Sequence, residues 1–203
     1  GGGKGTTQSE RTAAERGEAG RTPRAGIRTW VALPEDAEEA DPGFKHQAKD
    51  ALPFREGEGK RVRLILGNLY GEKAPVKTFS EMCYADAVLE AGAKIPLTND
   101  HEDRGIYVMA GEVEIAGVSY AAGQMMVFRP GDEITVTATQ SSRLMLLGGE
   151  TLNGPRYIWW NFVASSQEKI EAAKEAWREG DWQNGRFHLP PDDDAEHIPL
   201  PDK

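Results

Sequence analysis

Apolar and polar positions alternate through the middle of the chain. Residues 61–66, 83–89, 106–115, 124–128, 134–138 and 143–147 are short β-type runs, separated by Gly, Pro or charged turns. In Ile134-Thr135-Val136-Thr137-Ala138 the apolar side chains share one face and the threonines the other, as expected of a strand with one face on a core. Recurring short strands at this spacing predict an all-β sandwich or barrel. The stretch 99–115 reads as a hairpin: a polar loop holding His101, a strand, a turn at Ala110-Gly111, and a second strand.

One helix is predicted. Ser165-Ser166-Gln167-Glu168 has the form of a capping box, in which the Ser165 hydroxyl and the Glu168 carboxylate satisfy free amides at the helix start. Ile170, Ala173, Ala176 and Trp177 follow on one stripe, and Gly180 is a stop. Residues 27–33 read as a strand, preceded by twenty-six residues of mostly Gly, Arg, Glu and Thr. A lone strand cannot form a domain, so residues 1–60 either add to the main barrel or belong to a larger body. The tail from Leu189 is too rich in Pro and Asp for regular structure, although Ile198 and Leu200 can strap it to a surface.

With 203 residues there is room for one large domain or two small ones. No apolar run approaches the ~18 residues of a membrane span, and the start has no hydrophobic signal segment. The single cysteine, Cys83, excludes an internal disulfide framework and fits a reducing, cytoplasmic setting. A net charge of −9 argues against direct nucleic-acid binding, which needs clustered Lys and Arg. Residues 1–28 hold six Lys/Arg against three Asp/Glu, and residues 190–203 hold five Asp/Glu against one Lys; both read as solvated ends.

Several stretches together resemble the pirins of the cupin superfamily: RTWVALPEDAEEADPGFKH, GEKAPVKTF, LEAGAKIPL, HEDRGIYVMAGEVEI, FRPGD, and LMLLGGETLNGPRYIWWNFVASS with the capped helix. The likeness runs from about Gly3 to Pro201, and WWNFV and LMLLGGE are its most specific parts. The resemblance implies a cupin-type β-barrel (jelly roll, double-stranded β-helix) with one C-terminal α-helix. It also implies two consecutive barrels in the family, of which the first carries an iron-like metal on three histidines and a glutamate and the second is typically metal-free. Against that pattern, residues 1–60 resemble the remnant of a first barrel plus a linker, 61–164 the second barrel, and 165–203 the helix and acidic tail. GGGKGTTQSER resembles the family stretch that supplies two of the metal ligands, which puts Gln8 in a histidine's slot and Glu10 in the glutamate's. The other two histidines belong to a segment that this sequence does not contain. A neutral amide in place of an imidazole, on a flexible end, does not retain iron, so no cofactor is expected for this polypeptide; a complete first site would hold iron or another divalent metal.

A metal-bearing cupin hairpin follows G-x5-H-x-H-x3,4-E-x6-G, and a second motif, G-x5-P-x-G-x2-H-x3-N, adds a histidine. Spacing H-x-H points both imidazoles to one face of a strand. Anchored at Gly111, the glutamate slot is Arg104 and the histidine slots are Thr98 and Asp100, or Leu97 and Asn99. Anchored at His101, the partner slot is Asn99 and the glutamate slot is Gly105 or Ile106. In the second motif the slots fall on Ile134 and Ala138. A cation against such a wall would lose its water without gaining donors. The second barrel is therefore expected to be metal-free, with His101 a structural or surface histidine.

Other signals read as structure. GGGKGTT breaks the phosphate-loop order, and Asp192-Asp193-Asp194 lacks the glycine and glutamate of a calcium loop. Cys83 shares a strand face with Ala85, Ala87 and Leu89 and reads as a buried, inert thiol. His46, His188 and His197 are scattered, with His46 in an expected short strand, and no serine has a nucleophile context with a base. Trp159-Trp160 is expected to pack one ring between barrel and helix. The residues favour a non-catalytic cupin that contacts a protein partner or a small molecule. The alternative is a metal-dependent dioxygenase resembling quercetin 2,3-dioxygenase, whose expected substrate is a small aromatic, flavonol-like molecule. Open strand edges of an incomplete barrel invite a homodimer.

Overall fold

The computed structural model describes residues 3–8, 26–190, 193 and 196–201. Thirteen strands are present among them: β1 (Phe54–Gly57), β2 (Lys60–Leu69), β3 (Glu72–Lys73), β4 (Met82–Leu89), β5 (Lys94–Leu97), β6 (Asp103–Ala110), β7 (Glu112–Ile115), β8 (Val118–Ala121), β9 (Met125–Phe128), β10 (Ile134–Ala138), β11 (Ser142–Gly149), β12 (Tyr157–Trp159) and β13 (Phe162–Ala164). One α-helix, α1 (Gln167–Glu179), follows. The fold is all-β, a cupin-type barrel with a C-terminal helix.

The chain forms two compact units, one of residues 45–152 and one of 1–44 with 153–203. In the first, a seven-stranded sheet runs β1-β2-β4-β11-β6-β9, with β3 also on β2, and a four-stranded sheet runs β5-β10-β7-β8. Every adjacent pair is antiparallel. A single core draws on both sheets: Cys83, Ala85, Ala87 and Leu89 of β4, Leu144 and Leu146 of β11, and Ile106 and Val108 of β6 meet Ile95, Leu97, Val113, Val136 and Ala138. The alternation of β4 is preserved along its length, so the small alanines let the sheets approach. In β2 the pairing shifts between Leu64 and Leu66, a bulge that moves the inward phase from Leu64 to Gly67 and Leu69.

The stretch 99–115 departs from the expected hairpin. Strand β6 pairs with β11 and β9, whereas β7 pairs with β10 and β8 in the other sheet. Gly111 is a corner where the chain changes sheets. Its φ is +81°, and a Cβ there would lie 2.3 Å from the Ser141 carbonyl oxygen. The Ser142 hydroxyl pins the corner, accepting from the Glu112 amide at 3.1 Å.

In the second unit, β12 and β13 form a hairpin. Phe162, Ala164, Ile170, Ala173 and Phe187 form its core, with Trp159, Trp160, Trp177, Trp182 and Leu200 packed around them. The Trp160 ring meets Trp177 of the helix edge-on at 5.4 Å. Ser166 caps α1, its hydroxyl accepting from the Lys169 amide, and Gly180 ends the helix in the left-handed conformation. The cap thus falls one residue later than the sequence pattern suggested, because the Ser165 hydroxyl donates to Glu38 at 2.7 Å. Residues 27–33 form no strand, and Arg156 donates twice to the Leu33 carbonyl. Residues 44–47 form no strand either, and the Phe44 ring is 94% exposed.

Candidate functional site

The first-motif slots gather at one end of the barrel, where β5 ends, the loop 98–102 follows and β6 begins; Ile134 of the second motif joins them across from Leu97, whereas Ala138 lies at the other end of β10, opposite Val113. Thr98 turns its hydroxyl onto Asp100 at 2.7 Å. Leu97 and Ile106 are buried in the core, and Ile134 lies directly across from Leu97 in the β5–β10 ladder. Ala138, in the last slot, is also fully buried. The wall is therefore hydrocarbon on the side where the second motif would place its histidine and asparagine.

Arg104, in the glutamate slot, is 2% exposed. Its guanidinium donates to three carbonyls: Leu97 at 3.3 Å, Thr98 at 3.2 Å and Arg129 at 3.0 Å. Its Nε is buried with no partner, and no ion pair reaches it among the described residues. His101 is buried too. Its Nε2 lies 3.2 Å from the Asn68 carbonyl oxygen, and the absent side chain of Gly148 leaves room for the ring, since a Cβ there would stand 3.2 Å from it.

The same end of the barrel holds Cys83 and Tyr70. Burial, with the Asp100 charge nearby, pushes the Cys83 thiol up to about 12. Burial likewise raises the Tyr70 hydroxyl far above the ordinary phenol range, reinforced by Cys83 and Asp100, and that hydroxyl donates to the Pro96 carbonyl. Neither group offers an anion to a ligand near neutral pH.

A divalent ion does not fit here. It would meet the Asp100 carboxylate, the Thr98 hydroxyl, a His101 ring whose Nε2 already lies against the Asn68 carbonyl, a fixed guanidinium and apolar wall, where metal sites supply three or four aligned donors. Among the described residues no group of three or more His, Cys, Asp or Glu is placed to hold a metal. Of the expected N-terminal ligands, Gln8 is exposed on the short segment 3–8, next to Thr7, which donates to the His188 carbonyl. Glu10 lies outside the described residues, as do Asp192 and Asp194. His46, His188 and His197 are exposed, and His197 rests on the Trp182 ring at 4.7 Å.

Two features escaped the sequence reading. Glu38, one of eight acidic residues in the 35–58 stretch, is buried, takes a bond from Lys169 at 2.6 Å and lies 3.7 Å from Arg156. Burial alone would raise its carboxyl, but Lys169 and Ser165 outweigh it and hold the group below the usual range. Nothing in the pattern separates Glu38 from its acidic neighbours. Arg104 did carry a signal, because it is a charge on the inward phase of an otherwise apolar strand face. Beside the barrel mouth, an open cavity of about 370 Å³ is lined by Asn68, Lys73, Lys77, Phe79, Glu81 and Glu150, among others.

Residues 84–187 match the model of the pirin C-terminal cupin domain. A pirin-like protein of Caulobacter vibrioides is 43% identical over 201 residues, which is 98% of this chain and 67% of that protein. The chain belongs to the pirin family. A Pseudomonas aeruginosa protein provisionally named quercetin 2,3-dioxygenase is 31% identical over 160 residues, covering 78% of this chain and 50% of that one. A crystal structure of quercetin 2,3-dioxygenase from Acinetobacter baumannii superposes with a TM-score of 0.72 at 27% identity, over 86% of this chain and 58% of that one. The chain thus spans between half and two thirds of the length of these relatives.

Proposed function

We propose that the barrel of residues 45–152 is a non-catalytic pirin-type cupin, a binding or regulatory module. The observation that carries this reading is the lining of its mouth. Where a metal cupin presents imidazoles and a carboxylate, this mouth presents Arg104, Leu97 and Ile134. Its partners are a protein or a small aromatic molecule of the flavonol type, met in the cytoplasm, and the open edges β8 and β9 suit a second copy of the chain. On this reading the expected first-barrel remnant and linker of residues 1–60 overlap the second barrel, because β1 (Phe54–Gly57) already pairs with β2 there, and the helix and tail lie in 165–203.

The alternative is a metal-dependent oxidoreductase of the quercetin 2,3-dioxygenase type, which the names of two relatives favour. Gln8 and Glu10 would then contribute to an iron-type site completed by histidines from elsewhere in the protein. Elemental analysis and quercetin consumption by the purified protein separate the two. The proposal expects substoichiometric iron, nickel and manganese and no turnover after metal supplementation. One metal per chain together with quercetin cleavage would establish the oxidoreductase.

A further inference from the structure

Arg104 raises a question of charge. A guanidinium 2% exposed, with no carboxylate within ion-pair distance among the described residues, is a cation taken out of water. Such burial is heavily unfavourable unless other groups replace the lost hydration. Here the replacement is three backbone carbonyls from two segments distant in sequence: Leu97 and Thr98 at the end of β5, and Arg129 after β9. The first segment leads into the loop that carries the first-motif slots, and the second lies in the turn before β10, the strand that carries the second-motif slots.

We infer that the Arg104 guanidinium is the barrel's own cation: it organises the mouth as a bound ion would, and its fixed charge keeps a divalent ion out. Carbonyl oxygens are ligands for a cation, and a forked, permanently charged donor set reaches several at once with defined geometry. Because the charge is covalently attached, the mouth is organised without regard to metal supply. A second positive charge brought alongside it in a low-dielectric wall would be strongly repelled. The inference rests on the metal-free reading of this barrel, and it adds the residue responsible.

Hydrogen–deuterium exchange tests it on the whole chain, as wild type, Arg104→Met and Arg104→Lys. In wild type, exchange in residues 97–104 and 129–134 should not change with EDTA or with added Ni²⁺. Arg104→Met should accelerate both segments together, on the order of ten-fold or more, while α1 stays as protected as before. Arg104→Lys retains the charge but not the fork, so it should rescue one segment and leave the other loosened. If EDTA loosens the wild-type segments or Ni²⁺ protects them, the metal-free reading fails. If Arg104→Met leaves both segments at wild-type protection, that reading stands and Arg104 is not the organiser. Should Arg104→Met not fold, Arg104→Lys still decides, since wild-type protection of both segments in it would overturn the assignment.

Discussion

Single residues at this barrel's bends and core carry costs that differ for stated reasons. Gly67 has φ +71°, and a Cβ on it would stand 1.7 Å from the Met82 carbonyl oxygen. Gly123 has φ +91°, with nothing within 4 Å of such a Cβ. Gly123→Ala should therefore cost only the backbone strain, about 1 kcal/mol, whereas Gly67→Ala must also push strands apart and should cost roughly 3 kcal/mol or more. Urea unfolding midpoints of the two variants measure the difference. Cys83 gives a second prediction at this scale. Its thiol is raised from the ordinary value of 9.0 to about 12 in the fold, so the native state disfavours the thiolate. The associated stability is fully present below pH 9 and is lost as pH rises from there through the folded value. Ellman's reagent at pH 8 should leave the native thiol unmodified and titrate one thiol per chain in denaturant; rapid native labelling would contradict the burial. The inertness of Cys83 was legible from its alanine neighbours, because strand alternation transmits burial from residue to residue.

Helix α1 shows how far local pattern reaches. Its span, apolar stripe and glycine stop follow from spacing alone, yet its cap is Ser166 and not Ser165, because a carboxylate 127 positions away takes the Ser165 hydroxyl. Ser166→Ala should cost about 1 kcal/mol, the usual worth of an N-cap. Glu38→Gln should cost more, about 2–4 kcal/mol, since it leaves Lys169 and Arg156 without their counter-charge. Because the Glu38 carboxyl is held below its ordinary value of 4.5, its contribution is present above that pH and is lost as pH falls below it. Wild type and Glu38→Gln should accordingly converge in thermal midpoint in acid and separate at neutral pH; parallel curves would contradict the role given to the charge. Residues 27–33 show the opposite limit. They have a strand's composition but form no strand, since alternation alone does not fix which segments join a ladder.

At the scale of the whole molecule, the alternating runs were enough to reveal an all-β barrel, and the WWNFV and LMLLGGE stretches its family resemblance. The division into units was not legible, since hydrogen bonds such as Lys169 to Glu38 and Thr7 to the His188 carbonyl close over 131 and 181 positions. Nor does β6 pair with β7, because a glycine corner and a hairpin turn share the same sequence signal. The slot positions were legible as mismatches to a metal motif, but the filling of one of them by a buried guanidinium required the fold. The whole account turns on a barrel mouth built of hydrocarbon and one fixed arginine charge. Crystals soaked in Ni²⁺ or Fe²⁺ and measured at the metal absorption edge test that directly. The expected anomalous map has no peak inside the barrel mouth, and a peak coordinated by Asp100 or His101 against the wall at Ile134 would contradict it.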